Sequence, residues 1–154
     1  MRISDRGIKL IKHFEGVRYR PYRCAAGLYT VGVGHLIGDG KSLPTEWNRT
    51  FTEDEVNALL RSDISRFELG VSRMLSQVRV KQCVFDVCVS FSFNHGLGLF
   101  QRSTFRQEII RGNEEGAVNS LLKYCKARVN GVLKEVRGLK LRREAEAKMF
   151  LANY

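Results

Sequence analysis

Glu15 is the one carboxylate whose predicted position suits acid catalysis. A short helix is predicted to begin after the capping residue Asp5 and to stop at Gly16, so Glu15 falls on its last turn. There it faces the negative end of the helix macrodipole, which disfavours the ionised form and suits a general acid. Position alone does not distinguish this role from that of a solvated surface carboxylate.

The cysteine and histidine side chains do not have the spacing of metal ligands. The four cysteines, Cys24, Cys83, Cys88 and Cys125, contain no CxxC pair, and no histidine falls at ligand spacing from them. Four cysteines are too sparse for a disulfide framework, and Cys83 and Cys88 are expected to be unbridged core residues. We therefore expect no metal site, reduced thiols and a cytosolic origin. Acid catalysis and water delivery need only side chains, so no cofactor is implied.

The elements that must position Glu15 are predicted from periodicity. Residues 17–36 alternate in the manner of a small antiparallel sheet, and a capping box at 52–55 opens a long helix that ends near residue 76. Residues 84–93 are apolar nearly all round and are interpreted as a buried helix, although they also alternate like a strand. Further helices are expected near 104–111, 114–125 and 139–152, with breaks at 96–100, 112–113 and 130–131.

Length and composition bound the class of protein. The 154 residues suit a single domain, 1–154, comprising an N-terminal helix and β lobe at 1–52, a connecting helix at 53–76 and a helical lobe at 77–154. The 44% hydrophobic and 27% charged residues are ordinary for a globular chain, and no apolar run is long enough to cross a bilayer. Charges interrupt the first fourteen residues, which argues against a secretory signal. A net charge of +10 favours polyanionic partners without saying which.

The chain contains Phe-Glu-Gly at 14–16, Tyr-Arg-Cys at 22–24 and Thr-Val-Gly-Val-Gly-His at 30–35, followed by further ordered motifs toward residue 146. Together these motifs cover nearly the whole chain and resemble the phage-type lysozymes, the endolysin muramidases of glycoside hydrolase family 24. That family has a helix-ending Glu, an acidic residue (usually Asp) nine positions later, and a Thr six positions after that in a Thr-x-Gly-x-Gly-His string. The same offsets fall here on Glu15, Cys24 and Thr30. The C-terminal signatures follow in order as Ser-Phe-Ser-Phe-Asn-x-Gly at 90–96, Ser-Thr at 103–104 and Gly-Leu-x-x-Arg-Arg-x-x-Glu at 138–146.

The resemblance implies an α+β, lysozyme-like fold in which a small β lobe and a larger helical lobe flank a substrate cleft. It implies hydrolysis of the β-1,4 bond between N-acetylmuramic acid and N-acetylglucosamine in peptidoglycan. Glu15 would protonate the leaving oxygen, while Cys24 and Thr30 would hold a water on the opposite face of the sugar. A Thr hydroxyl can both donate and accept a hydrogen bond, as that task requires.

Cys24 departs from the usual Asp of the family. Arg20 and Arg23 are near in sequence and could lower the pKa of the thiol enough to make a thiolate. A thiolate could stabilise charge on the sugar, accept a proton from water, or attack the anomeric carbon and retain stereochemistry. Alternatively, Cys24 is an inert side chain, a disulfide partner or the mark of lost catalysis.

The resemblance also carries over residues around the reaction. Arg142 or Arg143 would orient Glu15, and spacing does not choose between them. Because an ion pair opposes the effects of burial and the helix end, the net direction of the Glu15 pKa shift stays open. The positions that match the lining of the substrate groove are Leu36, Phe93, Ser103 and Asn119. His35 is expected to make a structural hydrogen bond behind the sheet.

The biological setting follows from the same resemblance. An endolysin would act as a monomer on bacterial peptidoglycan and contact the anionic cell envelope peripherally. It would wait in the host cytoplasm for a holin-like protein, and then act in the periplasm or cell wall. A catalytically impaired peptidoglycan-binding domain is one alternative. A nucleic-acid-binding protein is another, but the basic residues are spread along the chain and no nucleic-acid motif is present, so no nucleic-acid partner is expected.

Overall fold

The structure is a computed structural model and describes all residues, 1–154. Its elements are α1 (Asp5–Glu15), β1 (Arg18–Arg23), β2 (Tyr29–Gly32), β3 (His35–Leu36), α2 (Glu53–Met74), α3 (Gln82–His95), α4 (Leu97–Arg102), α5 (Thr104–Ile110), α6 (Glu114–Leu122), β4 (Lys126–Val129), β5 (Val132–Glu135) and α7 (Arg137–Phe150). They form two compact units, which we call the sheet unit (Ile8–Arg66) and the helical unit (Met1–Gly7 with Phe67–Tyr154). Seven helices with two small antiparallel sheets confirm the predicted α+β class. No helix combines the length and hydropathy that a membrane crossing requires.

The sheet unit contains the predicted antiparallel sheet in the order β1-β2-β3. Thr30 on the central strand pairs with Tyr22 on β1 and with Leu36 on β3. A β-bulge lies between Arg18 and Tyr22, so two extra residues of β1 are accommodated along this edge strand. The other face of β2 is apolar, and Val31 is fully buried there.

The helix that follows the sheet begins as predicted. The Thr52 hydroxyl accepts the Glu55 N–H at 3.1 Å, and the Glu55 carboxylate accepts the Thr52 N–H at 3.0 Å, which confirms the capping box. Helix α2 ends at Met74, close to the predicted residue 76. His35 Nδ1 lies 2.8 Å from an oxygen of Asp63 on this helix, so the predicted structural hydrogen bond of His35 ties the sheet to α2.

The helical unit is built around α3. This helix is buried along most of its length, and the interpretation of residues 84–93 as a buried helix is confirmed. The Phe91 ring lies 5.2–6.2 Å from the rings of Phe100, Phe105 and Tyr124, which form the aromatic core of the unit. Cys83 and Cys88 are buried with free thiols, as expected of core residues.

Two predicted boundaries in this unit are wrong, and one predicted break contains a hairpin that was not predicted. Residues 96–100 were expected to be a break, but only Gly96 separates α3 from α4, and Gly98 lies inside that short helix. Helix α6 ends at Leu122 rather than near 125. Residues 130–131 lie between helices α6 and α7, as expected, but they form the turn of the β4-β5 hairpin, which was not predicted. Asn130 and Gly131 both have positive φ, 51° and 79°, as the tightest hairpin turns require.

Candidate active site

Glu15 is the last residue of α1, as predicted. Gly16 ends the helix in the left-handed region at φ 77°, and its N–H donates to the Lys12 carbonyl at 2.9 Å. The Glu15 side chain is half-buried. A carboxylate in this position is held by a helix end rather than by a mobile loop, which suits a group that must deliver a proton in a fixed direction.

Cys24 and Thr30 come together on the sheet. Cys24 follows β1 and continues its ladder, since its N–H donates to the Leu28 carbonyl at 2.9 Å. Residues that pair across strands share a face, so Tyr22, Thr30 and Leu36 lie on one face, and Cys24 falls two residues beyond Tyr22 on that face. Cys24 is half-buried and Thr30 is buried.

The surroundings of the Cys24 sulfur favour its ionised form. Hydrogen bonds from the backbone N–H groups of Leu28 and then Ala26 lower the pKa of the thiol, and the Thr30 hydroxyl contributes to the same shift. Partial desolvation acts in the opposite direction and is outweighed. The Thr30 hydroxyl also lies 3.0 Å from the Leu28 carbonyl, so its single proton can be donated to that oxygen or to the sulfur.

The predicted cause of this shift is corrected by the structure. The sequence pointed to Arg20 and Arg23 as the groups that stabilise a thiolate. Arg20 instead donates to the Thr50 hydroxyl at 2.9 Å. Arg23 donates to the Tyr29 hydroxyl at 2.9 Å and covers the Tyr29 ring. The turn backbone lowers the thiol pKa, which the sequence could not show because it depends on where N–H groups point.

The groove-lining candidates fall in different places. Leu36 is the partner of Thr30 in the sheet and is 43% exposed. In the helical unit, Phe93 packs against Phe67 with ring centroids 5.3 Å apart, and Asn119 is exposed on α6. The Ser103 hydroxyl is buried, accepts the Arg106 N–H at 3.0 Å and donates to the Phe100 carbonyl at 2.8 Å, so its observed role is to cap α5.

Arg142 and Arg143 belong to a buried charged cluster. Arg143 Nε lies 2.7 Å from the Glu146 carboxylate, and its Nη2 donates to Asn94 at 3.0 Å. Arg142 Nη2 donates to the carbonyl and hydroxyl oxygens of Ser90, whose hydroxyl in turn donates to Glu146 at 2.6 Å. We name the residues Ser90, Asn94, Arg142, Arg143 and Glu146 the arginine cluster. An orienting contact from either arginine to Glu15 stays a prediction.

Tyr22 is a member of this face to which the sequence gave no role. It pairs with Thr30, and the Arg18 guanidinium lies 4.7 Å above its ring. The signal was available, because Tyr22 precedes Cys24 by two residues and side chains of a strand alternate with that period.

Comparison with known proteins now identifies the class. The family model described as phage lysozyme matches residues 12–146. An endolysin of Acyrthosiphon pisum secondary endosymbiont phage 1 is 34% identical, over 97% of this chain and 98% of its own length. An endolysin of Bacillus phage B103 is 39% identical over 98% of this chain, which spans 54% of that longer protein. The solved endolysin from Escherichia coli O157:H7 phage FAHEc1 superposes with a TM-score of 0.88 at 32% identity, over 99% of this chain and 94% of that chain.

This chain therefore belongs to the phage lysozyme family, which consists of glycoside hydrolases of the muramidase type that act on peptidoglycan. The resemblance noted in the sequence is confirmed, and so is the lysozyme-like fold that it implied.

Proposed function

We propose that this protein is an endolysin that hydrolyses the β-1,4 bond between N-acetylmuramic acid and N-acetylglucosamine. In this proposal Glu15 is the general acid, and Cys24 with Thr30 positions and activates the attacking water. The supporting observation is that Cys24 and Thr30 lie on one face of two paired strands, where backbone donors lower the pKa of the thiol. A cysteine in these surroundings can carry the negative charge that the family's usual Asp supplies.

These three side chains account for every proton transferred in the proposed hydrolysis. Protonated Glu15 donates its proton to the glycosidic oxygen as the bond from that oxygen to the anomeric carbon breaks. A water held by the Thr30 hydroxyl bonds to the opposite face of that carbon and gives a proton to the Cys24 thiolate. Solvent then returns the proton from the thiol to the Glu15 carboxylate. The product has inverted stereochemistry.

The second route uses Cys24 as the nucleophile. The thiolate would bond to the anomeric carbon directly, and water, with Glu15 as base, would then release the sugar with retained stereochemistry. The anomeric form of the fresh product separates the two routes. We assign the water route, because the Thr30 hydroxyl beside the sulfur can orient a water molecule.

Turbidity clearing of outer-membrane-permeabilised cells tests the assignment. We expect wild type to clear the suspension and Glu15→Gln to lose about 10²- to 10⁴-fold in rate, because Gln cannot donate the proton. Cys24→Asp should remain active and Cys24→Ala should be strongly impaired, with and without reductant. If reduced wild type binds peptidoglycan without clearing cells, this chain is a lysozyme-like binding domain instead.

The remaining residues enter the proposal as groups around the substrate. One of Arg142 and Arg143 orients Glu15, and Leu36, Phe93, Ser103 and Asn119 line the groove. Single Lys replacements of the two arginines identify the orienting one by a loss of kcat without a change in KM. Replacement of Leu36, Phe93 or Asn119 should instead change KM, whereas the Ser103 hydroxyl is already engaged in the cap of α5.

The proposed setting is the end of a phage infection cycle. The protein acts as a monomer, stays in the host cytoplasm until a holin-like protein opens the membrane, and then reaches the periplasm and cell wall. Its net charge of +10 would concentrate it on an anionic wall. Clearing of intact cells that express the protein, with and without a coexpressed holin, tests this dependence.

A further inference from the structure

The β4-β5 hairpin, residues 126–135, exposes apolar side chains at its tip. Val129 pairs with Val132 next to the Asn130-Gly131 turn, and Leu133 follows on β5. These three side chains are 41%, 55% and 57% exposed. Isolated exposed apolar residues are ordinary, but here Val129 and Val132 share one face of the hairpin and Leu133 lies on the other, so the tip is apolar on both sides. Clustered exposed apolar residues of this kind mark contact surfaces.

The same segment is strongly basic. Residues 123–140 contain one carboxylate, Glu135, which is paired with Lys140 at 3.4 Å. The same segment contains six cationic residues, which are Lys123, Lys126, Arg128, Lys134, Arg137 and Lys140. Half of the net charge of the chain, five of ten, therefore lies in this short segment. Arg128 bends toward the turn and donates to the Gly131 carbonyl at 3.2 Å, which places a guanidinium beside the apolar tip.

We propose that this hairpin docks on an anionic phospholipid surface. Val129, Val132 and Leu133 would enter the interface between headgroups and acyl chains, while Arg128 and the lysines of the strands would contact lipid phosphates. Charge alone would suit any polyanion, including a wall polymer. The apolar tip selects the bilayer, because a dissolved polymer gives exposed Val and Leu side chains nothing to enter.

Docking of the hairpin on a membrane would be a step separate from peptidoglycan hydrolysis. The docked protein would be concentrated on the membrane that separates it from the wall. Because binding to lipid vesicles needs no peptidoglycan, its success or failure is independent of the proposed catalytic residues.

The test measures sedimentation of the full chain with large vesicles of phosphatidylcholine, alone or mixed equally with phosphatidylglycerol. We expect binding to the mixed vesicles only. Lys126→Gln with Lys134→Gln should lower the partition coefficient roughly thirtyfold, since each cation near an anionic surface contributes about fivefold. Lys9→Gln with Lys41→Gln removes two exposed cations elsewhere and should change it far less.

The decisive variant alters the tip alone. Val132→Ser with Leu133→Ser should lower partitioning by about tenfold while leaving binding to soluble polyphosphate unchanged. Leu69→Ser with Leu151→Ser is the matched control, because these residues are 55% and 54% exposed outside the hairpin. The proposal is wrong if the tip variant binds mixed vesicles as wild type does, or if wild type does not bind them.

Hydrogen exchange on the unaltered protein gives a second readout that does not depend on variants. Addition of mixed vesicles should slow exchange in residues 126–135 and leave the β1-β2-β3 sheet unchanged. Slowed exchange elsewhere, with none in the hairpin, would assign lipid contact to another surface.

Discussion

Cys24 in the sheet unit and Glu146 in the helical unit are both acids beside hydrogen-bond donors, yet their pKa values move in opposite directions. Backbone N–H groups lower the pKa of the half-buried Cys24 thiol. Burial raises the pKa of the Glu146 carboxyl, although Arg143 and Ser90 favour its ionised form. The difference shows that access to water, and not only the number of donors, decides which group is available for chemistry.

The helical unit disfavours charge at other ionisable side chains as well. Burial lowers the pKa of His95 to about 4, and the nearby Arg143 contributes to that shift. The Cys88 thiol is fully buried and its pKa is raised for the same reason. In the sheet unit, Cys24 retains contact with solvent and an ionisable thiol. We therefore place the proposed acid and base in the sheet unit, whereas the arginine cluster stabilises the core of the helical unit in addition to supplying the proposed orienting arginine.

Removal of Glu146 should have the largest effect on folding. Glu146→Ala leaves two buried guanidinium groups without their carboxylate, and loss of one partner of a buried ion pair costs about 3–5 kcal/mol. Urea denaturation of the purified variant measures the free energy of unfolding. Glu144→Ala is the matched control, because Glu144 is exposed on the same helix and should change stability little.

The same pair of variants can contradict the packing role. If Glu146→Ala unfolds at the wild-type urea concentration but loses activity, the cluster serves the reaction and not the core. Arg143→Met combined with Glu146→Leu should recover part of the stability relative to Glu146→Ala, because it removes one of the two unpaired guanidinium groups together with the carboxylate.

The pH dependence of activity tests whether Cys24, in contrast to the buried Glu146, is available as an ionised group. The thiolate is the active form, so the rate should fall as pH drops through the thiol pKa, which lies below its ordinary value. Cys24→Asp should move this acid limb of kcat/KM lower by several pH units, toward the range of a carboxyl group. Cys24→Ser should remove the limb and lower the rate by about 10²-fold.

Kinetics from pH 4 to 9 on isolated peptidoglycan supply the measurement. An acid limb that stays in place in Cys24→Asp would assign it to another group and leave Cys24 without a role as a base. Glu15→Gln lacks the proton donor, so its residual rate at each pH serves as the baseline for all three enzymes.

Much of the sheet unit could be predicted because its signals are local. The stop at Gly16, the capping box at Thr52 and the strand alternation each depend on residues within one turn or one strand. The offsets of Glu15, Cys24 and Thr30 also follow from the linear chain. What could not be predicted was the cause of the Cys24 pKa shift, since the orientation of backbone N–H groups does not follow from residue types.

The helical unit was harder to predict because its signals are long-range or conflicting. The β4-β5 hairpin is exposed on both faces, so it has no apolar alternation, although the Asn130-Gly131 pair is a strong hairpin signal. Arg142 and Arg143 also make hydrogen bonds to Ser90 and Asn94, which lie about fifty residues away in sequence and were not predicted. No spacing rule brings such partners together.

Replacement of Ser103 is expected to have the smallest effect. It distinguishes a capping role of this hydroxyl from a substrate-binding role. Its hydroxyl caps α5, so Ser103→Ala should lower the free energy of unfolding by about 1 kcal/mol. The hydroxyl proton is already donated to the Phe100 carbonyl, and KM for peptidoglycan should therefore stay unchanged. Ser103→Thr keeps the cap and should recover part of the lost stability. A raised KM in Ser103→Ala with unchanged stability would instead place this hydroxyl on the substrate, as the family motif implied.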